Sequence, residues 1–147
     1  MMKQEDEKPD ELQNPIGGLF GYRLRRISAD DMAYLGRSLT ALDISTVAAS
    51  VLMMIHANNG ATQSEVGHCL GIKRANMAPL TTHLEEKGWI KKTPLNGRSY
   101  GLEVTDAGNS LCTQILLEMK KTDAIILRNL TDEEKRIFDQ LLDKIIH

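Results

Sequence analysis

The chain has 147 residues, long enough for one domain with a substantial core and too short for a two-domain enzyme. A net charge of −2 with 26% charged residues excludes a globally basic nucleic-acid binder, so any affinity for a polyanion must come from local patches. Two cysteines without CxxC or Cys/His metal spacing exclude a disulfide framework and fit a reducing cytoplasm.

Residues 1–14, "MMKQEDEKPDELQN", hold five acidic and two basic side chains and have no apolar stretch ending in a cleavage site. They read as a disordered acidic tail, not a secretory signal. From Pro15 to about Leu39, the residues Ile16, Leu19, Phe20, Leu24, Ile27, Leu35 and Leu39 recur at helical spacing, so an amphipathic helix is expected. Asp43 is expected to cap a second helix that runs to about Asn58, where "NNG" supplies the stop. Its apolar window, Val47 to Ala57, is far shorter than the roughly 20 residues that cross a bilayer. It reads as a core helix, and no membrane association is expected.

"TQSE" at 62–65 has the spacing of a capping box and should open a short helix reaching Leu70, which Gly71 breaks. A further helix carries Met77, Leu80 and Leu84 on one face and ends at Lys87-Gly88. The period then changes. "WIKKT" and "YGLEV" read as two strands joined by the six residues "PLNGRS", in which Asn96-Gly97 is the signature of a tight turn with positive φ. Thr105 starts a long helix to about Arg128 with Leu111, Ile115, Met119 and Ile126 on one side. A second capping box, "TDEE" at 131–134, opens a last helix with a stripe of Ile137, Phe138, Leu141, Leu142, Ile145 and Ile146.

The fold class is therefore mainly α with a small β-hairpin. The helix pair at 62–87 has the logic of a helix-turn-helix: Gly67 permits a close crossing, Gly71 the turn, and Val66, Leu70, Ile72, Met77, Leu80 and Leu84 a common core. Its other face carries Lys73, Arg74, Asn76, Pro79 and Thr82, with His83 at the edge, groups suited to phosphates and base edges. Pro79 predicts a kink, because it removes a backbone donor and crowds the carbonyl of Ala75. Residues 72–100 hold six basic side chains against two acidic ones, the local patch that the overall charge conceals. The apolar stripes at the two chain ends are best satisfied against those of a second copy, as a two-fold dimer.

Three motifs then fall in order: Leu84-Glu85-Glu86-Lys87-Gly88, Asn96-Gly97-Arg98, and Leu102-Glu103-Val104-Thr105-Asp106-Ala107-Gly108. Together they resemble the MarR family of winged helix-turn-helix regulators over about residues 15–146. The resemblance implies a homodimer that places one helix of each lobe in the major groove of double-stranded DNA and a wing arginine, here Arg98, at the minor groove or backbone. The family's wing aspartate, which commonly holds that arginine, is replaced by Asn96. Four segments follow: the tail 1–14, an N-terminal helix 15–42 for dimerisation and a ligand cleft, a DNA-binding lobe 43–104, and C-terminal dimerisation helices 105–147.

The expected DNA contacts are Thr62, Gln63, Lys73, Arg74, Ala75, Asn76, Pro79, Thr82, His83, Lys92, Arg98 and Ser99. The resemblance also implies a cleft for a small aromatic or phenolic acid, for which Tyr22, Arg23, Tyr34, Arg37 and His56 offer cations and phenols. Cysteine oxidation is a weaker trigger, since Cys69, expected half-buried, and Cys112 lack a cationic cluster to activate them. No metal, cofactor or catalytic set is expected. The reading is a transcriptional regulator, by family default a repressor; the alternative is a winged helix for protein association or DNA architecture.

Overall fold

The computed structural model describes residues 12–146. Most of the acidic segment expected to be disordered thus lies outside the described residues. Six helices and one hairpin follow in the order α1 (Phe20–Thr40), α2 (Thr46–Ala57), α3 (Gln63–Cys69), α4 (Arg74–Glu86), β1 (Ile90–Asn96), β2 (Ser99–Val104), α5 (Asp106–Ile126) and α6 (Asp132–Ile146). The first helix starts later than its apolar spacing suggests, because Pro15 to Gly18 form turns and Phe20 is the first helical residue.

The centre of the core is α2, whose Ala48, Ala49, Val51, Leu52 and Ile55 are all buried. Around it close Leu35 and Leu39 of α1, Val66 of α3, Met77 and Leu84 of α4, Ile90 and Leu102 of the hairpin, and Leu111, Cys112 and Ile115 of α5. Each valine, leucine, isoleucine or methionine among them, taken from water, contributes about 1.5–3 kcal/mol, which is why this one helix can hold the lobe and both long helices together.

The start of α2 differs from expectation. Ser45, not Asp43, is the cap, accepting from the Ala48 amide at 3.2 Å. Asp43 instead takes a left-handed backbone conformation (φ 56°), which a short polar side chain tolerates, and its carboxylate pairs with Lys87 at the end of α4. That partner stands 44 residues away, so local spacing could not reveal it.

Two long-range joints fix the hairpin. Thr105 caps α5, accepting from Gly108 N at 3.2 Å, and its hydroxyl also donates to the Gly88 carbonyl at 2.6 Å. A Cβ on Gly108 would lie 2.1 Å from the Trp89 carbonyl oxygen, so only glycine lets α5 approach the root of β1. On the other edge, Gly60 N donates to Leu102 O at 2.9 Å and Leu102 N to Ala61 O at 2.8 Å, so the loop before α3 lines β2 like a third strand.

The last helix is built differently. The Thr131–Glu134 capping box forms as expected, at 2.8 and 3.3 Å. Among the described residues, however, α6 buries none of its side chains, and Ile137, Leu141, Ile145 and Ile146 stay 44–72% exposed.

Candidate nucleic-acid interface

The expected helix-turn-helix is α3 and α4. Thr62 and Glu65 complete their capping box: Glu65 Oε2 accepts from Thr62 N at 2.7 Å, and Thr62 Oγ1 accepts from Glu65 N at 3.3 Å. The same carboxylate also takes the Thr62 hydroxyl proton, at 2.9 Å. The Thr62 side chain is therefore already committed. Gly71 has φ +65°, the left-handed turn that ends α3. At Gly67 a Cβ would come within 2.7 Å of Met77 Cγ, the close crossing that its position implied.

The outer face of α4 presents Arg74, Ala75, Asn76, Pro79, Thr82 and His83, all exposed, with Lys73 as the preceding cap residue. The helix runs through Pro79 without interruption from Arg74 to Glu86. His83 meets Trp89 edge-on, with ring centroids 6.4 Å apart, which leaves it at the border of the face.

Ion pairing divides the basic patch in two. Lys87 pairs with Asp43, Lys91 with Glu103 at 3.3 Å and Lys92 with Glu85 at 3.2 Å. Among the described residues, Lys73, Arg74 and Arg98 form no ion pair. Lys73 and Arg74 also stand at the positive end of the α4 dipole, with no acidic residue in its first turn. Each such placement costs several tenths of a kcal/mol in isolation, a repulsion that an incoming polyanion would reverse.

Two concave regions join on this side. One, of about 360 Å³, is lined by Gln63, Ser64, Gly67, His68, Ile72, Arg74 and Met77. The other, of about 420 Å³, is lined by Thr62, Gln63, Ser64, Arg74, Lys92, Arg98, Ser99, Tyr100 and Leu102. They share Gln63, Ser64 and Arg74, so a single groove runs from the helix-turn-helix to the wing. It gathers six of the expected contacts and, besides Gly67, Ile72 and Met77, which the sequence placed in the helix-turn-helix core, adds four that sequence reasoning did not expect there: Ser64, His68, Tyr100 and Leu102. Tyr100, 55% exposed on a strand, was the available signal among these.

The wing turn is tighter than expected. Strand pairing continues to Asn96 and Ser99, leaving only Gly97 and Arg98 as the turn, and Pro94 pairs with Tyr100 inside the ladder. Neither Asn96 nor Gly97 has positive φ. A bulge at Leu95 adds local twist that would otherwise come from a positive-φ turn. Asn96 Oδ1 accepts from the Ser99 hydroxyl at 2.5 Å and so closes the turn without holding the Arg98 guanidinium.

The residues expected to take a ligand are not drawn together within one chain. At the start of α1, the Tyr22 hydroxyl accepts from Asn14 Nδ2 at 3.1 Å, and Arg23 Nε donates to Gly17 O at 2.9 Å. Twelve residues on, about 18 Å along the helix, Arg37 lies over the Tyr34 ring at 4.8 Å. His56 Nδ1 is 2.9 Å from Asn109 Oδ1 and links α2 to α5. A further cavity of about 520 Å³ lies elsewhere, among Met54, Asn58, Asn59, Gly60, Ala61, Glu65, Val66 and Cys69. Cys69 is exposed rather than half-buried, whereas Cys112 is buried and burial pushes its thiol upward, away from the reactive thiolate.

Comparison with known proteins agrees with this geometry. Residues 44–99 match the family model described as the MarR family. The HTH-type transcriptional regulator PecS of Dickeya dadantii is 26% identical, over 95% of this chain and 86% of its own. A MarR variant from E. coli complexed with operator DNA superposes with a TM-score of 0.80 at 21% identity, covering 92% of this chain and all of that one. A MarR-family protein of Mycobacterium tuberculosis in complex with salicylic acid gives 0.73 at 23%, covering 86% of this chain and 95% of its own.

Proposed function

We propose that the chain, whose residues 44–99 match the MarR family and which is similar along most of its length to a transcriptional regulator, is a DNA-binding transcription regulator of that family and not an enzyme, acting in the cytoplasm as a homodimeric repressor on a pseudo-palindromic operator. The observation that carries this reading is the groove from His68 to Arg98, whose rim holds Arg74 and Arg98 without an ion-pair partner among the described residues. In this reading residues 43–104 form the DNA-binding lobe, with α4 in the major groove and Arg98 at the minor groove or phosphate. Segments 15–42 and 105–147 bring two lobes to successive half-sites, about 34 Å apart on one face of the duplex. The exposed apolar stripe of α6, with Ile137, Leu141, Ile145 and Ile146 open among the described residues, supports that assembly.

Fluorescence anisotropy with the duplex upstream of its own gene tests the proposal against a scrambled duplex. Tighter binding to the native sequence, weakening steeply with salt, is expected. Equal affinity for both duplexes would instead mark an architectural or protein-associating winged helix.

The salicylic acid complex of the M. tuberculosis relative supports a finer proposal, that an aromatic carboxylate releases the DNA. Tyr22, Arg23, Tyr34, Arg37 and His56 would then line a cleft completed in the dimer. A ligand can act only through its different affinities for the operator-bound and free arrangements. A true ligand must therefore raise the melting temperature of the free protein and weaken operator binding at the same concentrations.

A further inference from the structure

Among the described residues two polar side chains are buried, Thr81 and Thr122. Thr122 returns its hydroxyl to the Glu118 carbonyl of its own helix at 3.0 Å, an ordinary way to satisfy a helical threonine. Thr81 does something else. Its hydroxyl reaches across from α4 to α3 and donates to Gln63 Oε1 at 2.7 Å, while the Met77 and Ala78 carbonyls of its own helix lie farther off, each at 3.2 Å. A hydroxyl has one proton, and the shortest contact takes it.

A primary amide is ambivalent, with an acceptor on one side and two donors on the other. With Oε1 turned inward to Thr81, the Gln63 NH2 group faces away from the core, and Gln63 lines both halves of the groove. Its neighbours there include Arg74, Lys92 and Arg98, which can only donate. A donor-rich rim is complementary to phosphate oxygens, which only accept.

We propose that Thr81 is a positioning residue that locks the Gln63 amide with its donors outward, making Gln63 a contact to the DNA backbone. This rests on the DNA-binding reading and assigns a role to a side chain that cannot itself touch the duplex. Thr81→Val removes the hydroxyl at nearly constant volume. Operator affinity should fall roughly three- to tenfold, the worth of one oriented hydrogen bond. The slope of affinity against salt should not change, because no charge is lost. Gln63→Ala should cost about the same, the double variant no more than either single one, and Thr81→Ser should restore wild-type affinity. Additive losses, or a changed salt slope, would overturn the proposal.

NMR of the wild-type protein gives an arm independent of whether Thr81→Val folds. The Gln63 side-chain NH2 protons should exchange rapidly with water in the free protein and become protected on the operator. Protection already in the free protein would mean that the amide nitrogen points inward, and the lock would be refuted. Failure of the wild type to prefer its operator would refute the DNA-binding reading instead, while the free-protein NMR still decides which way the amide faces.

Discussion

Arg98 stands in a turn whose other polar side chains are occupied with one another. Asn96 accepts from Ser99, so no side chain in the turn neutralises the guanidinium, which leaves it available to the DNA of the proposed reading. Arg98→Ala is therefore expected to weaken operator binding several-fold and to reduce the salt slope by about one per wing; an unchanged slope would make the arginine a bystander. Asp31 of α1 poses the opposite problem. Burial, with Asp123 of α5 adding to it, raises its carboxyl pKa above the ordinary 3.8, so the folded state binds that proton more tightly than the unfolded state does. Stability is favoured below the ordinary value and declines as pH rises through the elevated one. Asp31→Asn should thus raise the melting temperature at pH 7 and have little effect near pH 3, measured by calorimetry at both. Much at this scale was legible in the sequence. The exposed cations of α4 follow from helical spacing and the wing position of Arg98 from the resemblance, whereas the Thr81–Gln63 and Asp43–Lys87 contacts link positions 18 and 44 residues apart and leave no local trace.

Between elements, the two glycine contacts differ in what opposes them. A methyl group at Gly67 would press on the flexible Met77 side chain, at 2.7 Å. At Gly108 it would meet the Trp89 backbone carbonyl at 2.1 Å, with Val104 Cγ1 at 2.6 Å behind it. Gly108→Ala should accordingly destabilise by about 3 kcal/mol and Gly67→Ala by nearer 1 kcal/mol, as read from urea unfolding; equal losses would contradict the distinction. The Thr62–Glu65 box has its own signature. Hydrogen bonds from the Thr62 amide and hydroxyl hold the Glu65 carboxyl below its ordinary 4.5, so its contribution is complete above that value and is lost as pH falls through the lowered one. The melting-temperature gap between wild type and Glu65→Gln should be largest near neutrality and close in acid. Both capping boxes were readable because their partners are three residues apart. The hairpin was only half readable: its strands showed, but Asn96-Gly97 signalled a positive-φ turn, a form that the Leu95 bulge and the Asn96–Ser99 bond make unnecessary. The ligand residues were chosen by chemistry on two helices, and residues of suitable chemistry need not converge.

For the molecule as a whole, the stripe of α6 is the apolar face left open among the described residues. Leu141 is 49% exposed, so a charge there leaves the single chain's core untouched. Leu141→Glu should shift the protein towards monomer in sedimentation velocity and lower operator affinity roughly hundredfold through lost bivalency; a dimer that persists would place the contact elsewhere. The wing root matters at the same scale. Leu102 stands opposite Lys92 in the hairpin and spends its own N–H and C=O on Ala61 and Gly60, while Gly101 lies against the Gly60 carbonyl too closely to admit a side chain. Mechanically, the wing is a spoke set in the same hub as α3, since the loop that enters α3 is the one bonded to β2. On the proposed reading, the wing and the helix-turn-helix would then grip or leave a half-site together, without a stage at which the wing lets go first.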